Sequence, residues 1–285
     1  MKAFVWLASA VAAAALLAGC GGGGSGSTVT GPLASVLSIK TDQIVYRKNM
    51  QLTVTGQNLT KGITVFNFGC TGMTEVGTAT DTQRVFTCKM IAVGTVVLKI
   101  TAADNSTIYS GVLTIPAPAQ QPQVTMATSM GTIVMQLDPT KAPISVDNFL
   151  DYVETNYYPN TIFHRVVSNF VIQGGGYTQS LTVPTTALFA PIVLESGNGL
   201  KNVRGSVAMA RTDVLTSTTS QFFINTINNT SLDATNAGAN GYAVFGTVTS
   251  GMDVVDKISA VPTSTQAGLA NVPVTPILIT AATEQ

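Results

Sequence analysis

The sequence has little charge and a single histidine, and these absences exclude several classes of site. Only 10% of its 285 residues are charged, with 14 basic and 14 acidic side chains, so it lacks the basic surface that nucleic-acid binding needs. His164 is the only available histidine base, and no serine in a Gly-x-Ser-x-Gly turn accompanies it. No group of cysteines and carboxylates surrounds it to bind zinc. The sequence therefore predicts no metal site, no cofactor and no nucleic-acid partner.

Long apolar runs are absent beyond the first twenty residues. Ala3–Ala18 is an apolar run broken only by Ser9, which is short for a membrane span and typical of a signal peptide. The run ends in LAGC, at Leu17–Cys20, which resembles the lipobox of bacterial lipoproteins. The resemblance implies removal of residues 1–19 and lipidation of Cys20. The alternative is an ordinary signal peptide with a chance cysteine.

The residues after Cys20 bear on where the protein resides. Residues 20–31 combine the lipidated cysteine with an uncharged Gly/Ser tether, which would let a folded body stand away from the membrane. Gly21 is not the aspartate associated with inner-membrane retention in enteric lipoproteins. We therefore expect an exported, lipid-anchored protein, at the outer membrane and facing the periplasm, in a double-membraned bacterium.

Cysteine is also scarce, with two residues left in the mature chain, Cys70 and Cys88. An exported compartment permits disulfides, and two cysteines allow one pairing. We expect a disulfide between them, with two free thiols as the alternative.

A proline-rich linker, residues 116–122, divides the mature chain into two predicted domains. Residues 32–115 contain six short alternating or β-branched segments separated by Gly, Asn or Asp, a pattern typical of a small all-β sandwich. The pattern looks loosely Ig-like, although the mature chain has no tryptophan to complete a Cys-Trp-Cys signature. Without a catalytic motif, this domain is expected to be a spacer or to bind proteins, and a third hypothesis gives it the main role as an adhesion module.

Residues 123–285 combine many strands with two helices. The segment APISVDNFLDYVETNYY places Ile144, Phe149, Val153 and Tyr157 near one helical face, and GMDVVDKISA predicts a second helix. Five strand-like segments lie between them: IFHRVV, FVIQGG, SVAMAR, SQFFIN and YAVFGTV. The predicted fold is mainly β, with a closed antiparallel barrel capped by two helices after the small sandwich.

Four linked segments in this half carry a resemblance to a known family. FHRVVSNFVIQGGG, NGLKNVRGSVAMAR, SQFFIN and GYAVFGTVTSGMDVVDKIS occur in the order and spacing of cyclophilin-type peptidyl-prolyl cis-trans isomerases, most similar to the periplasmic bacterial branch. The resemblance covers Gln123–Gln285. It implies a cyclophilin-like barrel that rotates X-Pro bonds in proline-containing polypeptides and assists protein folding in the bacterial envelope. The alternative is a module that binds proline segments with little turnover.

The resemblance also implies residue roles. Arg165 would stabilise the twisted amide, and Arg165, Phe170 and Gln173 would form the catalytic set. The implied substrate-binding residues are His164, Met209, Ala210, Gln221, Phe222, Phe223, Leu232 and Tyr242. Taken alone, His164 is interpreted as a hydrogen-bonded barrel residue. The three glycines after Gln173 are interpreted as a bulge or a close backbone approach.

Two positions depart from the family's common pattern. Ser231 stands where the family usually has an aromatic residue, so we expect weak cyclosporin binding but retained isomerase activity. Arg211 replaces an asparagine common in eukaryotic members, consistent with the bacterial branch.

Overall fold

The computed structural model describes residues 32–67, 69–185, 189–234 and 240–285. The predicted signal peptide, Cys20 and the tether lie outside these residues. Within the described ranges, no helix is long and apolar enough to cross a membrane.

Two antiparallel sheets form the part before the linker. Their seven strands are β1 (Ser35–Thr41), β2 (Asn49–Gln57), β3 (Ile63–Asn67), β4 (Cys70–Glu75), β5 (Gln83–Met90), β6 (Gly94–Ala102) and β7 (Thr107–Ile115). One sheet has the order β1-β2-β5-β4 and the other β3-β6-β7. Alternate residues of both sheets, such as Leu52, Val54, Leu98 and Ile100, are buried in one core, as expected for packed sheets. Six of these strands were predicted from sequence, β4 was not, and the Ig-like topology stays a prediction.

A disulfide joins Cys70 of β4 to Cys88 of β5, with the two Cα atoms 5.8 Å apart. This is the pairing expected from the sequence. It links neighbouring strands and lies next to Lys89 on β5.

Of the ten strands that the structure describes after the linker, eight form a nearly closed antiparallel barrel, as predicted. The eight barrel strands are β8 (Gln123–Thr128), β9 (Gly131–Leu137), β10 (Thr161–Val167), β11 (Val171–Thr178), β12 (Ser206–Met209), β13 (Phe222–Asn225), β14 (Val244–Ser250) and β17 (Ile279–Glu284). Their order is β10-β11-β13-β12-β14-β9-β8-β17, and a bridge between Ile162 and Leu278 brings the two edge strands together. A separate hairpin consists of β15 (Thr263–Gln266) and β16 (Leu269–Pro273).

Two helices accompany the barrel. Helix α1 (Pro143–Glu154) contacts β14 and β17, and helix α2 (Met252–Ser259) contacts β9, β10 and β11. Phe149 and Val153 of α1 are buried as predicted. Val254, Val255 and Ile258 of α2 are buried as well. Proline stands at the start of α1, where its missing N–H removes no helical hydrogen bond. The Glu195 carboxylate accepts hydrogen bonds from the N–H groups of Ile144 and Ser145 and so satisfies free donors there.

The N-terminal sheets dock on α1, so Leu33–Gln285 forms one compact unit. Tyr46 donates a hydrogen bond to the Pro143 carbonyl at 2.9 Å. Arg47, whose side chain is 10% exposed, forms ion pairs with three carboxylates of α1: Asp147 at 3.1 Å, Asp151 at 3.2 Å and Glu154 at 2.7 Å.

Lys89 adds a second cation to this junction, 2.7 Å from Asp147 and 2.6 Å from Asp151. Burial raises the pKa of Asp147, while the charges of Lys89 and Arg47 oppose that rise. Since a buried carboxylate needs a partner, the two cations of the N-terminal sheets are matched to the acidic face of α1.

Candidate active site

An apolar cluster lies on the outer face of the barrel sheet, and we name it the outer-face cluster. Its members project from β11 to β14 and the adjoining loops, on the side opposite the barrel interior. The buried members are Val171, Ala208, Ala210, Phe223 and Val244, and the partly buried members are Phe170, Leu200, Leu232 and Tyr242. Successive residues of a strand point to opposite faces, so the same strands supply this cluster and the barrel core.

Met209 and Phe222 do not belong to the outer-face cluster, although both were predicted to bind substrate. Both are packed in the barrel core, where Met209 is 1% exposed and Phe222 is fully buried. The Phe222 ring contacts the rings of Phe149, Tyr158 and Phe163. Strand alternation is the reason: the next residues along, Ala210 and Phe223, face the cluster instead.

Arg165 reaches the outer face because β10 has an irregular register. Phe163 pairs with Gly174 and Arg165 pairs with Gln173, so His164 is an extra residue between the two pairs. The guanidinium carbon of Arg165 lies 5.9 Å from the centroid of the Phe170 ring. Among the described residues, Arg165 has no carboxylate at ion-pair distance. The site therefore holds a half-buried cation beside an apolar surface.

Gln173 is held by Gln221, to which its Nε2 donates a hydrogen bond at 2.9 Å. The two residues belong to the predicted set, and the structure brings them together. The glycines after Gln173 allow this approach, because a Cβ on Gly176 would lie 2.5 Å from Cδ of Gln221. Gly175 has φ +79°, a conformation that favours glycine. Their interpretation as a close backbone approach agrees with this geometry.

His164 is a buried neighbour of Arg165. It is 5% exposed, and its ring meets that of Tyr177 edge-on with centroids 4.8 Å apart. Burial lowers the pKa of His164 to about 4, and the Arg165 charge acts in the same direction, against polar contacts with Ile162 and Gln221. Neutral at pH 7, this histidine is placed to support the site and not to exchange protons there.

The opposite wall of the cluster is built around Tyr242. Its ring meets Phe223 edge-on at 5.4 Å, and the Arg211 guanidinium lies 4.8 Å from its centroid. Leu232 ends a short 3-10 turn, Thr230–Leu232, and its carbonyl accepts a hydrogen bond from the Tyr242 N–H. In the sequence, Arg211 was noted only because it replaces an asparagine common in eukaryotic members. In the structure, its guanidinium adds a second cation at the edge of the outer-face cluster.

The site can bind and polarise an uncharged group. It offers an apolar surface for a small ring, one unpaired guanidinium and the Gln173 amide, and none of its described residues places a nucleophile beside a base. In the parts of the chain that the structure describes, no three His, Cys, Asp or Glu residues are grouped to hold a metal ion.

Several residues of the site were missed by sequence reasoning. Three of them, Ala208, Val171 and Val244, could have been found by following the alternation outward from Phe223. Three buried asparagines beside the cluster, Asn202, Asn225 and Asn229, gave no local signal, because Asn202 lies 23 positions before Asn225.

Comparisons with known proteins find relatives of the second half of the chain. Residues 123–284 match the family model for cyclophilin type peptidyl-prolyl cis-trans isomerase/CLD. The chain is 54% identical to the peptidyl-prolyl cis-trans isomerase of Acinetobacter baylyi, over 55% of this chain and 81% of that protein. It is 45% identical to peptidyl-prolyl cis-trans isomerase B of Escherichia coli, over 56% of this chain and 98% of that protein. A solved cyclophilin-type isomerase from Cryptosporidium parvum covers 58% of this chain and 98% of its own at 24% identity, with a TM-score of 0.48.

Proposed function

The chain belongs to the cyclophilin-type peptidyl-prolyl cis-trans isomerases, and from that premise we propose that the outer-face cluster binds proline while Arg165 promotes rotation. The enzyme acts on X-Pro peptide bonds. Amide resonance sets a rotation barrier of about 18–20 kcal/mol, and crossing it breaks no covalent bond. The protein has only to bind the twisted amide more tightly than either planar form.

The position of Arg165 carries this proposal. Its unpaired guanidinium lies 5.9 Å from the Phe170 ring at the edge of the cluster. A proline ring seated against Phe170 and Phe223 would bring its amide nitrogen within reach of that cation. A hydrogen bond to the nitrogen favours its pyramidal form, which has lost resonance. Exclusion of water by the ring strengthens the electrostatic effect.

Gln173 would bind the backbone of the substrate. Its Nε2 is engaged by Gln221, which fixes the amide plane and leaves Oε1 to accept a peptide N–H. Ala210 lies in the cluster with no side chain beyond Cβ, so an extended peptide can approach the strand there.

The test is NMR exchange spectroscopy on an Ala-Pro peptide. It follows the proton signals of the cis and trans forms and so measures the rate at which they interconvert. We expect Arg165→Ala to lower the catalysed rate at least about 100-fold, the magnitude typical for loss of one transition-state donor. The matched control is Arg84→Ala, which removes an arginine paired with Glu75 in the N-terminal sheets and should leave the rate unchanged.

Two results would contradict the assignment. Equal rates for wild type and Arg165→Ala would remove Arg165 from the mechanism. Exchange of the wild type at the uncatalysed rate only would leave proline-segment binding with little turnover as the function.

We also propose that the enzyme is exported, lipid-anchored and assists folding in the envelope. The proposal is supported by the LAGC segment ending at Cys20 and by the Cys70–Cys88 disulfide, which fits an oxidising compartment. Labelling cells with an alkyne fatty acid should modify the wild type and not Cys20→Ser. The double variant Cys70→Ser/Cys88→Ser is the control and should keep the label. An unlabelled wild-type protein released in the soluble periplasm would contradict the anchor.

A further inference from the structure

Three buried asparagines, which we name the asparagine network, form a continuous hydrogen-bonded set beside the outer-face cluster. Asn202, Asn225 and Asn229 are 1%, 0% and 5% exposed. Nδ2 of Asn229 donates to Oδ1 of Asn225 at 2.7 Å, and Nδ2 of Asn225 donates to Oδ1 of Asn202 at 3.2 Å. Asn225 also donates to the hydroxyl of Ser206 at 2.9 Å. The side chains are linked one to the next, so the three are ordered as a unit.

One end of the asparagine network holds Phe170. Nδ2 of Asn229 donates to the Phe170 carbonyl at 2.8 Å, and the same carbonyl accepts the backbone N–H of Thr226 at 3.0 Å. Phe170 carries the ring beside the Arg165 guanidinium. The position of this ring is therefore fixed from behind by a buried amide.

The other end holds Leu232. Nδ2 of Asn202 donates to the Leu232 carbonyl and to Oδ1 of Asp233, both at 3.1 Å, and the Asn202 N–H donates to the same carboxylate oxygen at 2.7 Å. The Leu232 N–H in turn donates to the Asn229 carbonyl at 2.9 Å. Phe170 and Leu232 are thus joined through the asparagine network, although neither is bonded to the other.

Stability alone does not explain why three amide side chains are buried here. A buried amide contributes little net stability when it is satisfied, and apolar side chains of similar size would fill the space at least as well. What an amide chain adds is a fixed geometry between the groups at its two ends.

We propose that Asn202, Asn225 and Asn229 are positioning residues that set the separation of the Phe170 and Leu232 walls around the proline ring. The inference rests on the proposed function of the outer-face cluster. With the network intact, the walls are held at one separation before substrate arrives. Without it, binding would have to order them first.

Steady-state kinetics on an Ala-Pro peptide test this inference. Asn229→Ala is expected to raise KM about tenfold and to change kcat less than about twofold, because wall separation affects the planar and twisted amides alike. The control is Ile258→Ala on α2, a fully buried residue of the barrel core that is not part of the network. That variant loses stability but should keep the wild-type KM at a temperature where both variants are folded. An Asn229→Ala KM equal to that of Ile258→Ala would overturn the proposal. If Asn229→Ala does not fold, Asn229→Ser and Asn202→Ser replace it with the same expectation.

A double-mutant cycle separates positioning from general destabilisation. If Asn229 acts through Phe170, Asn229→Ala should change KM by less than about twofold in a Phe170→Ala background. The same tenfold factor in both backgrounds would contradict the proposal. Phe170→Ala also distinguishes the two levels of inference. If it leaves KM unchanged, the proposed proline site is wrong; if it raises KM while Asn229→Ala does not, only the role of the network is wrong.

Discussion

The two faces of strands β11–β14 have the same apolar alternation but different surroundings. Ile172, Phe222 and Phe245 point inward and are fully buried in the core that contains Phe149 of α1. On the outer face, Phe223 is 4% exposed and is almost as well buried as its inward neighbour. Burial alone therefore does not distinguish core from site. The outer face differs in its border, where half-buried rings meet the guanidinium groups of two arginines, and this border is where we propose that the substrate binds.

The largest expected effect comes from comparing substitutions at two neighbouring phenylalanines, one on each face of β13. Phe222→Ala should lower the free energy of unfolding by about 3–5 kcal/mol, because it opens a cavity among the rings of the core. Its kcat and KM should stay close to wild type where the variant is folded. Phe223→Ala should also lower stability, because its ring is only 4% exposed, and it should raise KM for an Ala-Pro peptide about tenfold, since the proline ring would lose an apolar contact. Denaturant unfolding and exchange kinetics of both variants check the assignment. A raised KM in Phe222→Ala with an unchanged KM in Phe223→Ala would reverse the two faces.

The pH dependence of stability that His164 causes indicates whether water reaches the outer face near Arg165. The His164 folded-state pKa of about 4 lies below the ordinary 6.5, so the unfolded chain binds the proton more readily between these values. Stability from neutral His164 is complete above pH 6.5 and falls as the pH drops toward 4, by at most about 3 kcal/mol.

The measurement is the free energy of unfolding of wild type and His164→Gln from pH 4 to 8. Other groups titrate in both proteins, so the difference between the two curves isolates the histidine. We expect the wild type to lose more stability below pH 6.5. Parallel curves would mean that water reaches the imidazole and that this part of the outer face is open.

The junction with the N-terminal sheets should affect stability without affecting turnover, because it pairs with the acidic face of α1 and includes no residue of the outer-face cluster. Arg47→Ala is expected to cost on the order of 2 kcal/mol, less than loss of an isolated buried partner because Lys89 still pairs with Asp147. Arg204→Ala is the control, since its ion pair with Asp256 is about half exposed and should contribute less than about 1 kcal/mol. A reduced kcat/KM in Arg47→Ala would instead connect the N-terminal sheets to the site.

Local patterns predicted much of this molecule. The barrel strands β10–β14 and both helices follow from local patterns, and Arg165, Phe170 and Gln173 were assigned from family motifs within one short segment. The outer strands β8 and β17 were not predicted, because a barrel is closed by pairing between residues far apart in sequence. Phe222 and Met209 were assigned to the substrate site because motifs identify a segment, whereas strand direction decides which residue faces out.

Two further features depended on contacts that no local pattern contains. The pairing of Arg47 with Asp147 joins residues about a hundred positions apart, and each looks like an ordinary surface charge in sequence. The asparagine network likewise joins three separate segments, because Asn202 and Asn229 lie in different loops and Asn225 lies on β13. Polar residues in such segments are usually solvated, so their burial becomes apparent only in the fold.

The smallest expected effect concerns the border of the outer-face cluster at Ser231. This serine is exposed in the turn that ends at Leu232, where the family usually has an aromatic residue. Ser231→Phe should strengthen cyclosporin inhibition about tenfold, equivalent to about 1.4 kcal/mol, because the added ring extends the apolar border.

Thr230→Phe places the same ring one residue earlier in the same turn and serves as the control. Inhibition of Ala-Pro exchange by cyclosporin measures both variants. Equal gains in both would attribute the effect to added hydrophobicity alone, and nanomolar inhibition of the wild type would mean that the border is complete without the aromatic ring.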